Sequence, residues 1–263
     1  ISVEEITKAL SNKTKVIIPV HLFGQCADME PIVKLAKKRG IFIIEDAAQS
    51  IGAHYTFRNG QTFNSGTIGD IGCTSFFPSK NLGCFGDGGA IFTNNDELAK
   101  KIRMIAHHGQ SVQYVHEVLG VNSRLDSIQA AILKIKLKHL DEYALSRNKV
   151  AEFYDKAFSN HSKIKIPSRS KNSTHVFHQY TLQIIGYDRT ELREKLTEHG
   201  IPAMIYYPIP LHKQNAYKNE RFKTNDFPIT QKLCDTVLSL PMHTELDEET
   251  LNYITNTLLT IIK

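Results

Sequence analysis

The chain has 263 residues, of which 41% are hydrophobic and 22% are charged, as is ordinary for a globular protein. Its 13 Phe and 10 Tyr exclude intrinsic disorder, and its 15 Gly and 9 Pro exclude collagen-like and low-complexity arrays. The net charge of +5 is spread along the chain, which disfavours a nucleic-acid binder and suits anionic small molecules as ligands.

The four cysteines form no C-x-x-C pair, so we expect reduced thiols, no disulfide framework and no metal site. No apolar run reaches the ~20 residues that span a bilayer, and the first residues lack the basic and apolar stretches of a secretory signal. We therefore expect a cytoplasmic protein that binds neither a membrane nor nucleic acid. Because Ile1 stands within an amphipathic helical pattern, we also expect a truncated N-terminus.

The first part of the chain alternates between strand and helix patterns. Ser2 and Glu5 have the spacing of a capping box, and Gly40 stands where a helix would end. Short apolar runs before and after the helix that ends at Gly40 predict buried strands. This part is therefore predicted to be a βαβ unit with parallel strands. In chain order we predict a helix at 2–10, a strand at 15–20, a helix at 28–39, a strand at 41–45, a loop or hairpin at 56–70, and strands at 73–77 and 89–93.

The rest of the chain begins with helices. A polar stretch at 160–174, rich in Ser, Lys and Asn, predicts the join into a second domain. We therefore predict a large domain over residues 1–140 and a smaller C-terminal domain over 141–263. The predicted elements are helices at 95–106 and at 123–158, with a break near 139–143, a strand at 178–185, a helix at 190–199, a strand at 203–207 and a helix after 247.

Lys80 has an unusual setting. It follows an apolar strand and Pro78, and a glycine-rich segment comes next, with glycines at 83, 86, 88 and 89. Glycines at this density let the backbone approach a ligand closely. A lysine against apolar walls has a lowered pKa, which a Schiff-base nucleophile needs. Lys80 is thus either a solvated surface residue, like most lysines, or a catalytic one.

Asp46 comes directly after the buried strand at 41–45. Ligands bind at this end of parallel strands, although a helix N-cap is the simpler interpretation of an aspartate there. A lysine that forms a Schiff base with pyridoxal phosphate needs an acid partner on the pyridine nitrogen. Asp46 and Lys80 together therefore suggest that cofactor.

Seven segments in one order resemble the nucleotide-sugar aminotransferases, the DegT/StrS family of pyridoxal phosphate enzymes of fold type I. The resemblance covers essentially the whole chain. The segments are 21–25 (HLFGQ), 45–50 (EDAAQS), 75–83 (SFFPSKNLG), 86–89 (GDGG), 108–109 (HG), 120–124 (GVNSR) and 207–211 (YPIPL).

The resemblance implies an α/β fold with a mostly parallel sheet, flanking helices and a smaller C-terminal α/β domain, the N-terminal part being missing. It implies a homodimer that transfers an amino group, with glutamate as the donor, to a keto-sugar nucleotide. The nearest match within the family is to enzymes that aminate the 3-keto group of UDP-N-acetyl-3-oxo-glucuronate for bacterial surface polysaccharides such as O-antigen.

The resemblance also implies cofactor contacts. Lys80 would form the Schiff base and then carry the proton, and Asp46 would pair with the pyridine nitrogen. The other contacts would be Ala48 on a ring face, Gln49 at the ring 3-hydroxyl, Ser75 at the phosphate, and Asn122 at the phosphate of the neighbouring subunit's cofactor.

Three residues are implied on the substrate side. Arg124 would meet the sugar, because a guanidinium fork suits a carboxylate, and Tyr207 would lie in the sugar site. His21 would lie near the cofactor, although a hydrogen-bonded core histidine is an equal alternative. Tyr206 departs from the uronate enzymes, which have His there.

Two alternatives to an active aminotransferase stay open. The segment that in the family supplies a phosphate loop at a helix N-terminus does not appear before Ile1, so the chain would be an incomplete fragment that acts as a folded scaffold. A related sugar dehydratase is the other alternative, but those enzymes have His in place of Lys80. Of the remaining lysines, Lys134, Lys136 and Lys138 are expected to form a solvated charged face.

Overall fold

The computed structural model describes residues 1–223 and 226–263. They form two compact units, each made of two separate segments of the chain. The first unit is Ile1–Leu145 with Arg169–His178, and the second is Ser146–Ser168 with Gln179–Lys263. The division into domains at residues 140 and 141 stays a prediction.

The first unit is built around a four-stranded mixed sheet with helices. In chain order its elements are α1 (Val3–Ala9), β1 (Val16–Ile17), a 3-10 turn (Leu22–Gly24), α2 (Met29–Arg39), β2 (Phe42–Asp46), β3 (His54–Thr56), β4 (Thr62–Asn64), β5 (Ile71–Ser75), β6 (Gly89–Phe92), α3 (Asp96–Ala106), β7 (Gln110–Val112), β8 (Val115–His116), α4 (Ser127–Lys136), a 3-10 turn (Leu137–His139) and the start of α5 (Leu140–Phe158). The strand order is β1-β2-β5-β6. Strands β1, β2 and β5 are parallel and β6 is antiparallel to β5, which confirms the predicted α/β fold.

Local signals in the sequence define several of these elements as predicted. The Ser2 hydroxyl accepts a hydrogen bond from the Glu5 N–H at 3.3 Å and begins α1. Gly40 ends α2 in the left-handed conformation, with φ 62°. The Asn95 side chain accepts the N–H groups of Glu97 and Leu98 and begins α3.

Other elements differ from the prediction. The strand predicted at 15–20 pairs only at Val16–Ile17, because Pro19 has no N–H to donate. Beyond it, Val20 forms an isolated bridge to Asp46. The segment 56–70, predicted as a loop or hairpin, contributes to the hairpin β3–β4, which agrees with the prediction. The helical stretch predicted at 123–158, with a break near 139–143, is two helices, α4 and α5; the predicted break lies slightly earlier, at the turn Leu137–His139.

The first unit contains two clusters of buried apolar side chains. In the first, Met29 and Ile32 of α2 pack with Ile17 and Ile43 of the sheet. In the second, α4 and the start of α5 pack on the loop that follows β5. The side chains of this second cluster are Phe76, Leu82, Cys84, Leu133 and Leu140. Burying side chains of this size contributes roughly 1.5–3 kcal/mol each, so both clusters fix the backbone near the sheet ends.

The second unit has a three-stranded antiparallel sheet of order β11-β10-β9. Its elements are the rest of α5, β9 (Ile164–Lys165), β10 (Tyr180–Ile184), α6 (Arg189–Glu198), 3-10 turns (Leu211–Lys213 and Asn215–Tyr217), α7 (Pro228–Thr236), β11 (Val237–Leu240) and α8 (Glu248–Ile261). The strand predicted at 203–207 is wrong, because Met204 makes only one bridge, to Ser239. The helix after Asp247 is confirmed. Across residues 1–223 and 226–263, no helix has both the length and the apolar surface needed to cross a membrane.

Candidate active site

The carboxyl ends of β2 and β5 lie side by side. Asp46 is the last residue of β2 and is opposite Cys73 of β5 in the parallel register, while Ser75 ends β5. This edge of a parallel sheet is where α/β proteins bind ligands, because the following loops diverge and leave a crevice. The structure therefore brings Asp46 and Ser75 to the same edge.

Lys80 lies in the loop between β5 and β6 and is half-buried. Burial lowers the pKa of Lys80 below its ordinary value, while the nearby Asp46 carboxylate opposes that shift. An amine with a lowered pKa has a larger neutral fraction at physiological pH, and only the neutral form attacks a carbonyl. The sequence features that singled out Lys80 and Asp46 thus correspond to one electrostatically linked pair.

The loop that carries Lys80 folds back on itself. The Phe76 N–H donates to the Gly88 carbonyl and the Cys84 N–H donates to the Phe76 carbonyl, each at 2.8 Å. A Cβ atom on Gly83 would lie 2.4 Å from the Pro78 carbonyl oxygen. Glycine is therefore required at 83 so that the two arms of the loop can pass this closely.

Helix α4 contacts this loop through two polar side chains. The Gln129 Oε1 accepts the Phe85 N–H at 2.7 Å. The Lys136 Nζ donates to the Gly83 carbonyl at 2.7 Å and lies 4.9 Å from the centre of the Phe85 ring. The predicted solvated charged face is therefore wrong for Lys136, whereas Lys134 is exposed.

Three other predicted residues lie beside the pair at the strand ends. The Ala48 N–H donates to the Asp46 Oδ1 at 3.1 Å and orients the carboxylate. The Gln49 Oε1 accepts the Phe23 N–H at 2.6 Å. The Ser75 Oγ accepts the Phe77 N–H at 3.2 Å. Backbone N–H groups therefore hold the side chains of Asp46, Gln49 and Ser75 in defined orientations.

His21 and Glu45 form a pair with no exposed side-chain surface. The His21 Nε2 lies 2.8 Å from the Glu45 Oε2, and the His21 Nδ1 accepts the Ala27 N–H at 3.1 Å. This pattern assigns the proton to Nε2, which donates to the carboxylate. Both ring nitrogens are engaged within the protein, which favours the interpretation of His21 as a core histidine.

Glu45 also accepts three backbone N–H groups from the segment before β5. The Gly66 N–H donates to Oε2 at 2.9 Å, and the N–H groups of Ile68 and Gly69 each donate to Oε1 at 2.6 Å. Burial alone would raise the pKa of Glu45, but the hydrogen bonds from His21 and the backbone outweigh burial and lower it. Glu45 is therefore an ionised carboxylate in the interior.

The remaining predicted residues lie elsewhere. Asn122 pairs with His107 in an isolated bridge, and Asn122 and Arg124 line an open groove of the first unit that also borders Cys73 and Gly88. Tyr207 lies in the second unit, where 54% of its surface is exposed. Among the residues that the structure describes, no group of three or more His, Cys, Asp or Glu side chains could hold a metal ion.

Comparison with known proteins decides the family. The sequence profile of the DegT/DnrJ/EryC1/StrS aminotransferase family matches residues 1–259. The chain belongs to this family. The resemblance found in the seven sequence segments is thereby confirmed.

The chain is also similar to individual curated proteins. The chain is 47% identical to the UDP-2-acetamido-2-deoxy-3-oxo-D-glucuronate aminotransferase of Pseudomonas aeruginosa, over 94% of this chain and 66% of that protein. It is 46% identical to a pleiotropic regulatory protein of Geobacillus stearothermophilus, over 95% of this chain and 66% of the relative. The chain thus spans slightly less than two thirds of the length of these two relatives.

A solved structure provides a comparison for the fold. NtdA from Bacillus subtilis, solved with bound cofactor PMP, superposes with a TM-score of 0.87 at 32% identity, over 100% of this chain and 60% of NtdA. The predicted mixed sheet with flanking helices is therefore a fold that this solved structure shares.

The sequence alone did not single out three residues whose contacts support the backbone around the candidate site: Glu45, Gln129 and Lys136. Glu45 had a signal, because it is a second carboxylate in an otherwise apolar strand, next to Asp46. Gln129 and Lys136 had none, because their partners are backbone groups of Phe85 and Gly83, 44 and 53 residues away. Helical periodicity predicts which face is polar but not what a polar side chain on that face contacts.

Proposed function

We propose that this chain carries the reactive lysine and the acid of a pyridoxal phosphate-dependent aminotransferase that acts on a keto-sugar nucleotide. The proposal depends chiefly on one observation, the half-buried Lys80 amine with a lowered pKa beside the Asp46 carboxylate. Family membership and the cofactor named in the NtdA structure support it.

The residues at the strand ends fit this cofactor chemically. Pyridoxal phosphate, when bound, supplies a carbonyl that amines attack and a ring that accepts electrons. Lys80 supplies the attacking amine. The Asp46 carboxylate, which the Ala48 N–H orients, suits the pyridine nitrogen because an anion keeps that nitrogen protonated.

The proposed roles of the other residues follow from their chemistry. Lys80 accepts a proton at Nζ from the substrate carbon and returns it one step later, as a general base and then a general acid. Ala48 packs on one face of the ring, Gln49 reaches the 3-hydroxyl and Ser75 donates its hydroxyl to the phosphate. Each of these assignments is tested by a single substitution.

We propose a UDP-linked 3-keto uronate sugar as the substrate and glutamate as the amino donor. The name of the P. aeruginosa relative supports this choice. Glutamate loses its amino group and becomes the 2-keto acid, and the sugar's keto carbon gains that group, so the exchange balances. Arg124 would pair with the sugar carboxylate and Tyr207 would line the sugar site. His21 is assigned no sugar contact, because it is fully buried.

We further propose a cytoplasmic homodimer that works in bacterial surface polysaccharide biosynthesis. Asn122 is the residue proposed to cross to the neighbouring subunit's cofactor phosphate. Light scattering tests this assembly. A monomer that retains full activity would overturn the dimer, and the role of Asn122 with it.

The deciding experiment adds pyridoxal phosphate to the 263-residue chain. We expect a visible absorbance band that borohydride makes permanent, with the label mapped to Lys80 by mass spectrometry. Lys80→Ala should lose the band and the label, while the matched variant Lys134→Ala should retain both. Glutamate should then remove the band, and a UDP-3-keto uronate should restore it faster than a neutral keto-sugar. A wild-type chain without a band would instead support the alternative of an incomplete fragment.

A further inference from the structure

The loop that carries Lys80 is attached to α4 at two points. Gln129 accepts the Phe85 N–H, and Lys136 donates to the Gly83 carbonyl and lies over the Phe85 ring. Residues 129 and 136 are seven apart, so they lie on one face of the helix, two turns from each other. One helix face therefore holds two backbone groups of the same loop.

Gly83 links this attachment to Lys80. The backbone at Gly83 passes so close to the Pro78 carbonyl that no side chain fits between them. Between Lys80 and Gly83, the Asn81 Nδ2 donates to the Val176 carbonyl at 2.7 Å. Lys80 thus lies in a turn that the Pro78–Gly83 approach and the Asn81 hydrogen bond both restrain, provided that Gly83 stays in place.

We propose that Gln129 and Lys136 are positioning residues that keep the Lys80 amine in its half-buried place beside Asp46. The contacts themselves are independent of the cofactor. Only the role of Lys80 as the reactive amine rests on the proposed function.

A physical consequence follows for the loop. A hydrogen bond from a charged donor is worth more than a neutral one, so its loss should raise the population of open loop conformations by about tenfold or more. An open loop exposes Lys80 to water, which removes the burial that lowers its pKa. Loss of Lys136 should therefore move the Lys80 pKa up towards its ordinary value.

The test compares four proteins without cofactor: wild type, Lys136→Met, Lys136→Arg and the exposed control Lys134→Met. Methionine keeps an unbranched apolar side chain at this position but has no N–H to donate. Hydrogen exchange of the amides at 80–86 should become about tenfold faster in Lys136→Met. It should be unchanged in Lys134→Met and largely restored in Lys136→Arg.

A second readout follows the Lys80 amine itself. Competitive labelling with acetic anhydride across a pH series, read by mass spectrometry, reports the pH at which Lys80 becomes neutral. This midpoint should rise in Lys136→Met and stay unchanged in Lys134→Met. A general loss of stability would instead speed exchange in β2 as much as in the loop, so equal acceleration in both places would overturn the proposal.

Gln129 supplies an independent pair of variants if Lys136→Met does not fold. Gln129→Leu removes the acceptor for the Phe85 N–H, and Gln129→Glu keeps it. Exchange that is faster in Gln129→Leu but not in Gln129→Glu supports the proposal that Gln129 positions the loop. Exchange that is unchanged in both variants overturns it. Because neither readout needs the cofactor, a wild-type chain that binds no pyridoxal phosphate would overturn the proposed function and leave this inference standing.

Discussion

The two faces of the four-stranded sheet in the first unit differ sharply. Successive side chains of a strand point to opposite faces, so Glu45 and Asp46 point in opposite directions. On the Glu45 face, Ile43 is buried in the cluster with α2. On the Asp46 face, 57% of Phe42 and 55% of Ile18 are exposed.

The two carboxylates show what this difference does. Glu45 accepts four hydrogen bonds within the protein and has no exposed surface. Asp46 is half-buried, accepts the Ala48 N–H and lies within electrostatic reach of Lys80. A carboxylate whose oxygens are saturated by the protein stabilises the fold, whereas one that remains accessible can serve a ligand.

The largest predicted effect is that of Glu45→Gln. An amide presents an N–H₂ group to donors that need an acceptor, so at least one backbone N–H of the 66–69 segment or the His21 Nε2 is left unpaired. We expect a loss of about 3–5 kcal/mol in the free energy of unfolding, measured by urea titration. The matched change Asp46→Asn should cost less than about 1 kcal/mol. Equal losses for the two variants would contradict the contrast between the faces.

His21→Ala should have the next largest effect. It removes one of four hydrogen bonds to the Glu45 carboxylate, and it also removes the acceptor for the Ala27 N–H. We expect a loss of about 2 kcal/mol in the free energy of unfolding. The exposed His54→Ala is the control and should cost under about 0.5 kcal/mol. If both histidine variants unfold at the same urea concentration, the buried pair contributes nothing to stability.

Acidification should weaken the same cluster. The pKa of Glu45 is lower in the folded chain than the ~4.3 of an unfolded glutamate. Its contribution to stability is therefore fully present above pH ~4.3 and is lost as the pH falls through the folded value. The stability difference between wild type and Glu45→Gln, measured by urea titration at several pH values, should shrink on acidification. A difference that is constant down to pH ~3 would contradict this linkage.

The elements that the sequence predicts well are those with local signals. Gly40 ends α2 and Asn95 begins α3, because a left-handed φ and a side-chain cap are properties of single residues. The short run of apolar and aromatic residues at 203–207 predicts a strand, yet only Met204 finds a partner, since pairing depends on a distant strand. The four-residue strand Val237–Leu240 escapes prediction because so short an apolar run has no distinct period.

The candidate site likewise has residues that local sequence signals reveal and contacts that only the tertiary structure reveals. Asp46 and Lys80 are recognisable because Asp46 stands at the end of one strand and Lys80 follows another, and the structure places those strands next to each other. The contact of Lys136 with Gly83 is not recognisable, because a backbone carbonyl accepts a hydrogen bond whatever its side chain. Residue type therefore indicates which groups react, while tertiary contacts determine how they are held.

The smallest predicted effect concerns Asp46→Asn, and it is measured on Lys80 rather than on stability. The Asp46 carboxylate favours the charged form of Lys80 and so opposes the effect of burial. Replacing it with a neutral amide of the same shape leaves burial alone, so the Lys80 pKa should fall further below its ordinary value. Competitive labelling of Lys80 without cofactor should then reach its midpoint at a lower pH than in wild type.

Glu45→Asp provides the comparison for this prediction. Glu45 lies on the opposite face of the sheet, so shortening its side chain should lower stability without moving the labelling midpoint of Lys80. If Asp46→Asn leaves the midpoint unchanged while Glu45→Asp moves it, the two carboxylates have exchanged the roles proposed for them. That result would place the ligand on the Glu45 face of the sheet. The Glu45 side chain has no exposed surface, so we expect the opposite result.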